Sequence, residues 1–200
     1  MMKSKWIRLL ALAGALLGLS AVNAAQAPNF TLPDAHGNEH SLSDHAGKIV
    51  VLEWVNHGCP FVRKFYAGGH MQALQKEMAE KGVIWLSINS SAQGLQGWMT
   101  PEDHLNAIEE KGINAHAVLI DEDGTVARRF NATVTPHMFV ICTEGNIAYQ
   151  GAIDSIRSTR ASDIPNARNH VREAVTELLA GQPVSVAQTQ PYGCTIKFAE

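Results

Sequence analysis

The sequence predicts a single α/β domain in which a central mixed sheet is flanked by helices on both faces, and three observations lead there. Two β-branched apolar runs of strand length, Lys48–Val55 and Val83–Asn89, bracket a helical pattern, as in a parallel strand-helix-strand crossover. A second helical pattern and another short apolar run follow at once. The chain then offers a pair of short strands around a turn and one amphipathic closing helix, so helices are available for both sheet faces.

Element by element, Lys48–Val55 (KIVVLEWV) reads as a central strand buried on both faces. Pro60 opens a helix through Phe61, Phe65, Met71, Leu74 and Met78, with a kink at Gly68-Gly69 and a stop at Lys81-Gly82. Val83–Asn89 (VIWLSIN) is the second buried strand. Pro101–Lys111 is a helix with Thr100 as N-cap, proline at the first helical position, acids in its first turn and Gly112 at its end. Ala117–Asp121 and Met138–Cys142 are short strands, and Ile147–Gly151 pairs with the latter across Glu144-Gly145-Asn146. Asn169–Ala180 closes the domain before Gly181, and Gln182–Gln190 reads as linker.

Composition limits the function classes. The 200 residues are 46% hydrophobic and 18% charged, which is ordinary for a globular chain, and three cysteines are too few for a disulfide scaffold. Net charge is −3, and no run of Lys or Arg appears beyond the first ten residues, so nucleic acid is not an expected partner. Lys3, Lys5 and Arg8, the apolar run Leu9–Leu19 and the small residues around Ala24-Ala25 read as an export signal over residues 1–24. That run is shorter than the roughly 20 residues a membrane span needs. Removing three of 16 basic residues and none of 19 acidic ones takes the mature charge to −6. The expected organisation is therefore a leader (1–24), an α/β domain (25–182) and a tail (183–200) carrying Cys194, with a periplasmic destination where thiols exchange disulfides.

Cys59 stands where the central strand ends and a helix begins. Unpaired backbone N–H groups and the helix dipole favour an anion there, and thiols in such positions have pKa values of roughly 3.5 to 7.5. The reading is a reactive thiolate.

At this point the chain resembles a family. Trp54-Val55-Asn56-His57-Gly58-Cys59-Pro60-Phe61-Val62, Ile88-Asn89-Ser90, Thr135-Pro136 before Met138-Phe139-Val140, Tyr149–Asp154, Leu178–Val184 and Gly193–Phe198 are similar to the redoxin branch of the thioredoxin superfamily. That branch groups the alkyl hydroperoxide reductase and thiol-specific antioxidant proteins. The resemblance implies a thioredoxin-like fold, thiol-disulfide or peroxide chemistry at Cys59, and a cis peptide before Pro136 lying beside that cysteine. There are departures. Asn56 stands where close relatives carry the first cysteine of Cys-x-x-Cys, and Leu52 and Asn56 occupy the Pro and Thr positions of the peroxiredoxin motif. Val134 stands where some relatives have a further cysteine.

Cys194, in the turn-rich Pro191-Tyr192-Gly193-Cys194, is then the candidate resolving thiol, on a tail expected to be mobile. A permanent structural clip and intermolecular pairing are the other readings. Cys142 is expected to be a buried, inert strand thiol. His57 and His137 are placed to stabilise the thiolate or act as base, whereas His36, His40, His45, His70, His104, His116 and His170 read as solvated.

The expected function is an exported thiol-disulfide oxidoreductase or peroxiredoxin-like redoxin, with catalytic Cys59, Cys194, Asn56, His57 and Pro136. Trp54, Thr135 and His137 would border the substrate. The expected partners are a disulfide or hydroperoxide substrate and an external dithiol reductant, with no cofactor. Two alternatives stay open: a copper(I)-handling protein using Cys59, His57 and His137 near Met138, and a non-catalytic adaptor.

Overall fold

The computed structural model describes residues 25–199. The expected export signal lies outside that range. The elements run β1 (Thr31–Pro33), β2 (Glu39–Ser41), β3 (Val50–Trp54), α1 (Pro60–Tyr66), α2 (His70–Glu80), β4 (Ile84–Asn89), α3 (Pro101–Lys111) and β5 (Ala117–Ile120). Then come α4 (Thr125–Phe130), β6 (Val134–Thr135), β7 (His137–Ile141), β8 (Ile147–Gly151), α5 (His170–Leu179) and β9 (Cys194–Thr195). Short 3-10 turns span Leu42–His45 and Ala161–Asn166.

The main sheet has the order β5-β4-β3-β7-β8. Strands β3, β4 and β5 are parallel, whereas β7 runs antiparallel to both β3 and β8, so the sheet is mixed as expected. Strand β3 is the centre, with Leu52 opposite Leu86 on one side and Phe139 on the other. Its alternating residues feed two cores. Val51 and Val55 join Val62, Phe65, Met71, Leu74 and Val175 from α1, α2 and α5. Val50, Leu52 and Trp54 join Val126, Ala127 and Phe130 from α4, together with Phe30 and Leu32. Each fully buried side chain of this size contributes about 1.5–3 kcal/mol, so a slip of one residue in β3 would misplace both sets.

Local chemistry sets the boundaries. The kink expected at Gly68-Gly69 is a full break, since Gly69 takes φ 74° and begins α2 as a separate helix. Thr100 caps α3 by accepting from Asp103 N, and Asp103 reaches back to Thr100 N at 3.0 Å. The short α4 has its first amides satisfied by Asp121, which accepts from Val126 N and Ala127 N at 3.0 and 2.9 Å.

The stretch expected as a linker is largely exposed, yet its end is tied to the sheet. Gln150 N donates to Ala187 O at 3.0 Å and Thr189 N to Gln150 O at 3.1 Å, extending the edge of β8. Beyond it, β9 pairs antiparallel with β6, placing Cys194 opposite Thr135, and Ile196 is buried among the residues around α4. Backbone hydrogen bonding and this apolar anchor override the turn-rich composition that made the tail look mobile.

Candidate functional site

Three elements meet at Cys59. The loop leaving β3 is closed by Cys59 N donating to Asn56 O at 2.9 Å, Pro60 starts α1, and Cys59 O accepts from Val62 N and Arg63 N at 3.1 and 2.9 Å. Residues 134–136 approach from the second side. The Thr135–Pro136 peptide is cis, as the resemblance implied, and Thr135 O lies 3.2 Å from Cys59 Sγ. Strand β9 arrives from the third. Its Cys194 forms a disulfide with Cys59, spanning 135 residues with a Cα–Cα distance of 5.9 Å.

Gly193 makes this approach possible. It has φ 154°, and a Cβ there would run into the Thr135 carbonyl and the Pro136 nitrogen. Only a residue without a side chain brings the following cysteine this close to the cis-proline turn. The two sulfurs differ in surroundings: Cys59 is 0% exposed, whereas Cys194 is only partly buried.

A buried ion pair anchors the same segment. Lys64, on α1, places Nζ 2.8 Å from Asp154 Oδ2 and donates to Ile156 O at 3.0 Å. Tyr192, two residues before Cys194, donates its hydroxyl to the other oxygen of Asp154. Its ring packs at 63° on Phe61, 5.7 Å away. Burial, then the hydrogen bond to Asp154 and its charge, holds the Tyr192 hydroxyl well above the ordinary phenol range, so it remains a donor. Sequence reasoning missed this trio. Lys64 between the buried Val62 and Phe65 was the available signal, a charge placed on an apolar helix face.

Asn56 is held in place by neighbours. Its Oδ1 accepts from Gly58 N at 2.9 Å, its Nδ2 donates to Gln96 Oε1 at 3.0 Å, and Gly97 approaches so closely that a Cβ would collide with the carboxamide. The side chain expected to assist catalysis at Cys59 ties the Cys59 loop to residues 96–97. Trp54, expected at a substrate surface, is fully buried, its indole N–H donating to Ser90 Oγ at 3.0 Å and its ring against Phe130 and Phe139.

The two histidines are separated into packing roles. His57 stands edge-on to Tyr66 at 4.9 Å and lines a pocket of about 260 Å³ with Arg63 and Lys111. Burial, then the charge of Lys111 and nearby His104, pushes its pKa down to about 4. His137 lies over Phe139 at 4.7 Å and accepts from Thr133 N at 3.4 Å, and burial alone pushes it down to about 4. Both imidazoles are neutral. No group of three or more His, Cys, Asp or Glu arranged to hold a metal occurs among the described residues.

Below the site, Glu53 is completely buried in β3. It accepts from Tyr66 OH at 3.0 Å, Trp85 Nε1 at 2.9 Å and Ser87 Oγ at 2.9 Å, while burial raises its pKa. A lone glutamate inside the apolar run KIVVLEWV was the sequence signal for it. Elsewhere, Cys142 falls one residue past β7 and is half-buried, since the strand ends at Ile141. His45 and His104 are buried at 9% and 2% exposure, not solvated, because the Leu42–His45 turn and α3 face them inward.

The known proteins this chain resembles have related architecture. It is 28% identical over 122 residues to thiol-disulfide oxidoreductase ResA of Geobacillus kaustophilus, a match covering 60% of this chain and 64% of that protein. The alignment thus spans less than two thirds of this curated relative. Among solved structures, a hypothetical protein of Sinorhizobium meliloti 1021 superposes with TM-score 0.75 at 25% identity, over 88% of this chain and 94% of that one. A thiol:disulfide interchange protein of the thioredoxin family from Chlorobium tepidum TLS gives TM-score 0.56 at 22% identity, over 78% and 97% of the two chains, a likeness in fold alone. The fold is thioredoxin-like. The AhpC/TSA signature extends from residue 24 to 150, through the strand-helix junction that carries Cys59 and the cis-proline turn that meets it, and on this match the chain belongs to the AhpC/TSA family.

Proposed function

We propose that this protein is a thiol-disulfide oxidoreductase whose redox couple is Cys59–Cys194. The observation that carries the reading is the disulfide itself, formed between a helix-start cysteine and the strand paired with the cis-proline turn. A second thiol at the position of Asn56 would make the Cys-x-x-Cys of close relatives; here β9 brings the partner sulfur instead. Likeness to a thiol-disulfide oxidoreductase along 60% of the chain supports the same chemistry.

In the proposed cycle, the reduced pair transfers two electrons to a substrate disulfide through a mixed disulfide, and a dithiol partner restores the thiols. A disulfide suits this site better than a hydroperoxide. The Asn56 carboxamide is engaged with Gln96 and Gly58, and Leu52 and Asn56 replace the proline and threonine of the peroxidase motif. The leader-like first 24 residues and the disulfide together support an exported, periplasmic setting.

Cys59→Ser is expected to reduce turnover of a protein disulfide with a dithiol reductant by at least about 100-fold, and to remove any peroxide consumption as well. Retention of wild-type turnover in that variant would refute the assignment.

A further inference from the structure

We infer that external thiols attack the Cys194 sulfur, so that the C-terminal strand, and not the helix-start cysteine, carries the mixed disulfide. The inference rests on the proposed exchange chemistry and assigns its point of contact.

Thiol-disulfide exchange requires an incoming thiolate to reach one sulfur along the line of the bond it breaks, so access selects between the two ends. At the Cys59 end that access is absent. The residue is 0% exposed, packed among Val55, Val62 and Phe65, and Thr135 O sits 3.2 Å from its sulfur. Cys194 keeps part of its surface in solvent and lies on a two-residue strand paired along one side only, with β6. Tyr192 before it and Ile196 after it fix the segment, so the exposed sulfur is presented from a held backbone.

The reductive half-reaction follows. A thiolate of a dithiol partner attacks Cys194 Sγ, forming a partner–Cys194 disulfide while the Cys59–Cys194 bond breaks and its electron pair leaves on Cys59 as thiolate. The partner's second thiolate then attacks its own bonded sulfur, releasing Cys194 as thiolate and oxidising the partner to a disulfide. Two electrons have moved to the pair, and protons from solvent complete the thiols. Run backwards, the same geometry makes Cys194 the nucleophile toward a substrate disulfide. The chain thereby replaces the missing outer cysteine at Asn56 with one supplied from the opposite end of the domain.

The test uses oxidised wild-type protein and a short peptide bearing one cysteine, quenched in acid within the first turnover and mapped by mass. The expected product carries the peptide on Cys194 with Cys59 as free thiol, in about tenfold or greater excess over the converse adduct. A predominant adduct on Cys59 overturns the inference while leaving the redox couple intact. A Cys194 adduct in a protein that reduces no substrate disulfide would support the point of attack and refute the proposed activity, so the two fail separately.

Discussion

His57 and His137 flank Cys59 and the cis-proline in the sequence, and their rings are engaged in packing against Tyr66 and Phe139. Each is pushed from about 6.5 down to about 4, so the folded protein binds fewer protons than the unfolded chain between those values. Their contribution to stability is complete above pH 6.5 and is lost as pH falls toward 4. For His57 alone this amounts to about 2 kcal/mol between pH 7 and pH 5. Urea unfolding of the wild type and His57→Phe is therefore expected to show a stability difference that shifts by that amount in favour of the variant on acidification; parallel pH profiles would rule this out. The chemistry-bearing residue types were visible in the sequence, but their orientation was not. Trp54, Asn56 and His57 stand near Cys59 in the chain and His137 follows Pro136, and whether such a side chain meets the sulfur depends on strand alternation and on contacts with residues tens of positions away.

The long elements follow from local patterning. Strands β3 and β4, helix α3 with its Thr100 cap, and α5 before Gly181 lie where apolar period and capping chemistry place them. The elements that complete the site are short. Strands β6 and β9 have two residues each and α4 has six, lengths at which no periodicity can be read, and their partners lie far along the chain. What holds β9 in place is equally non-local: Lys64 from α1, Asp154 after β8 and Tyr192 ahead of β9. Removing one charge of a buried pair leaves the other uncompensated, so Lys64→Met is expected to lower unfolding free energy by about 3–5 kcal/mol. Tyr192→Phe, which removes only the hydroxyl, should cost about 1–3 kcal/mol and weaken the Cys59–Cys194 bond in a glutathione equilibrium. An unchanged equilibrium constant in Tyr192→Phe would show that the anchor does not set the position of Cys194.

At the scale of the molecule, the disulfide closes a loop of 135 residues that contains four of the five strands of the main sheet, all but the central β3. In the chain-entropy account such a cross-link restricts the unfolded state by about 4–5 kcal/mol. Reduction with excess dithiothreitol is expected to lower the melting temperature by roughly 10 °C, and Cys59→Ser should melt at the reduced value without reductant. Coincident melting of oxidised and reduced protein would contradict this.

Distance along the chain also orders events in time. During synthesis Cys59 exists for 135 residues before its partner, and Cys142 is made first. In the finished sheet Cys142 follows the end of β7 that lies opposite Val50, while Cys59 follows the other end of β3, so the two residues lie at opposite ends of the strands. The folded sheet therefore acts as a ruler: it holds Cys142 a strand's length from Cys59, and Cys194, delivered by β9, is the thiol that meets it.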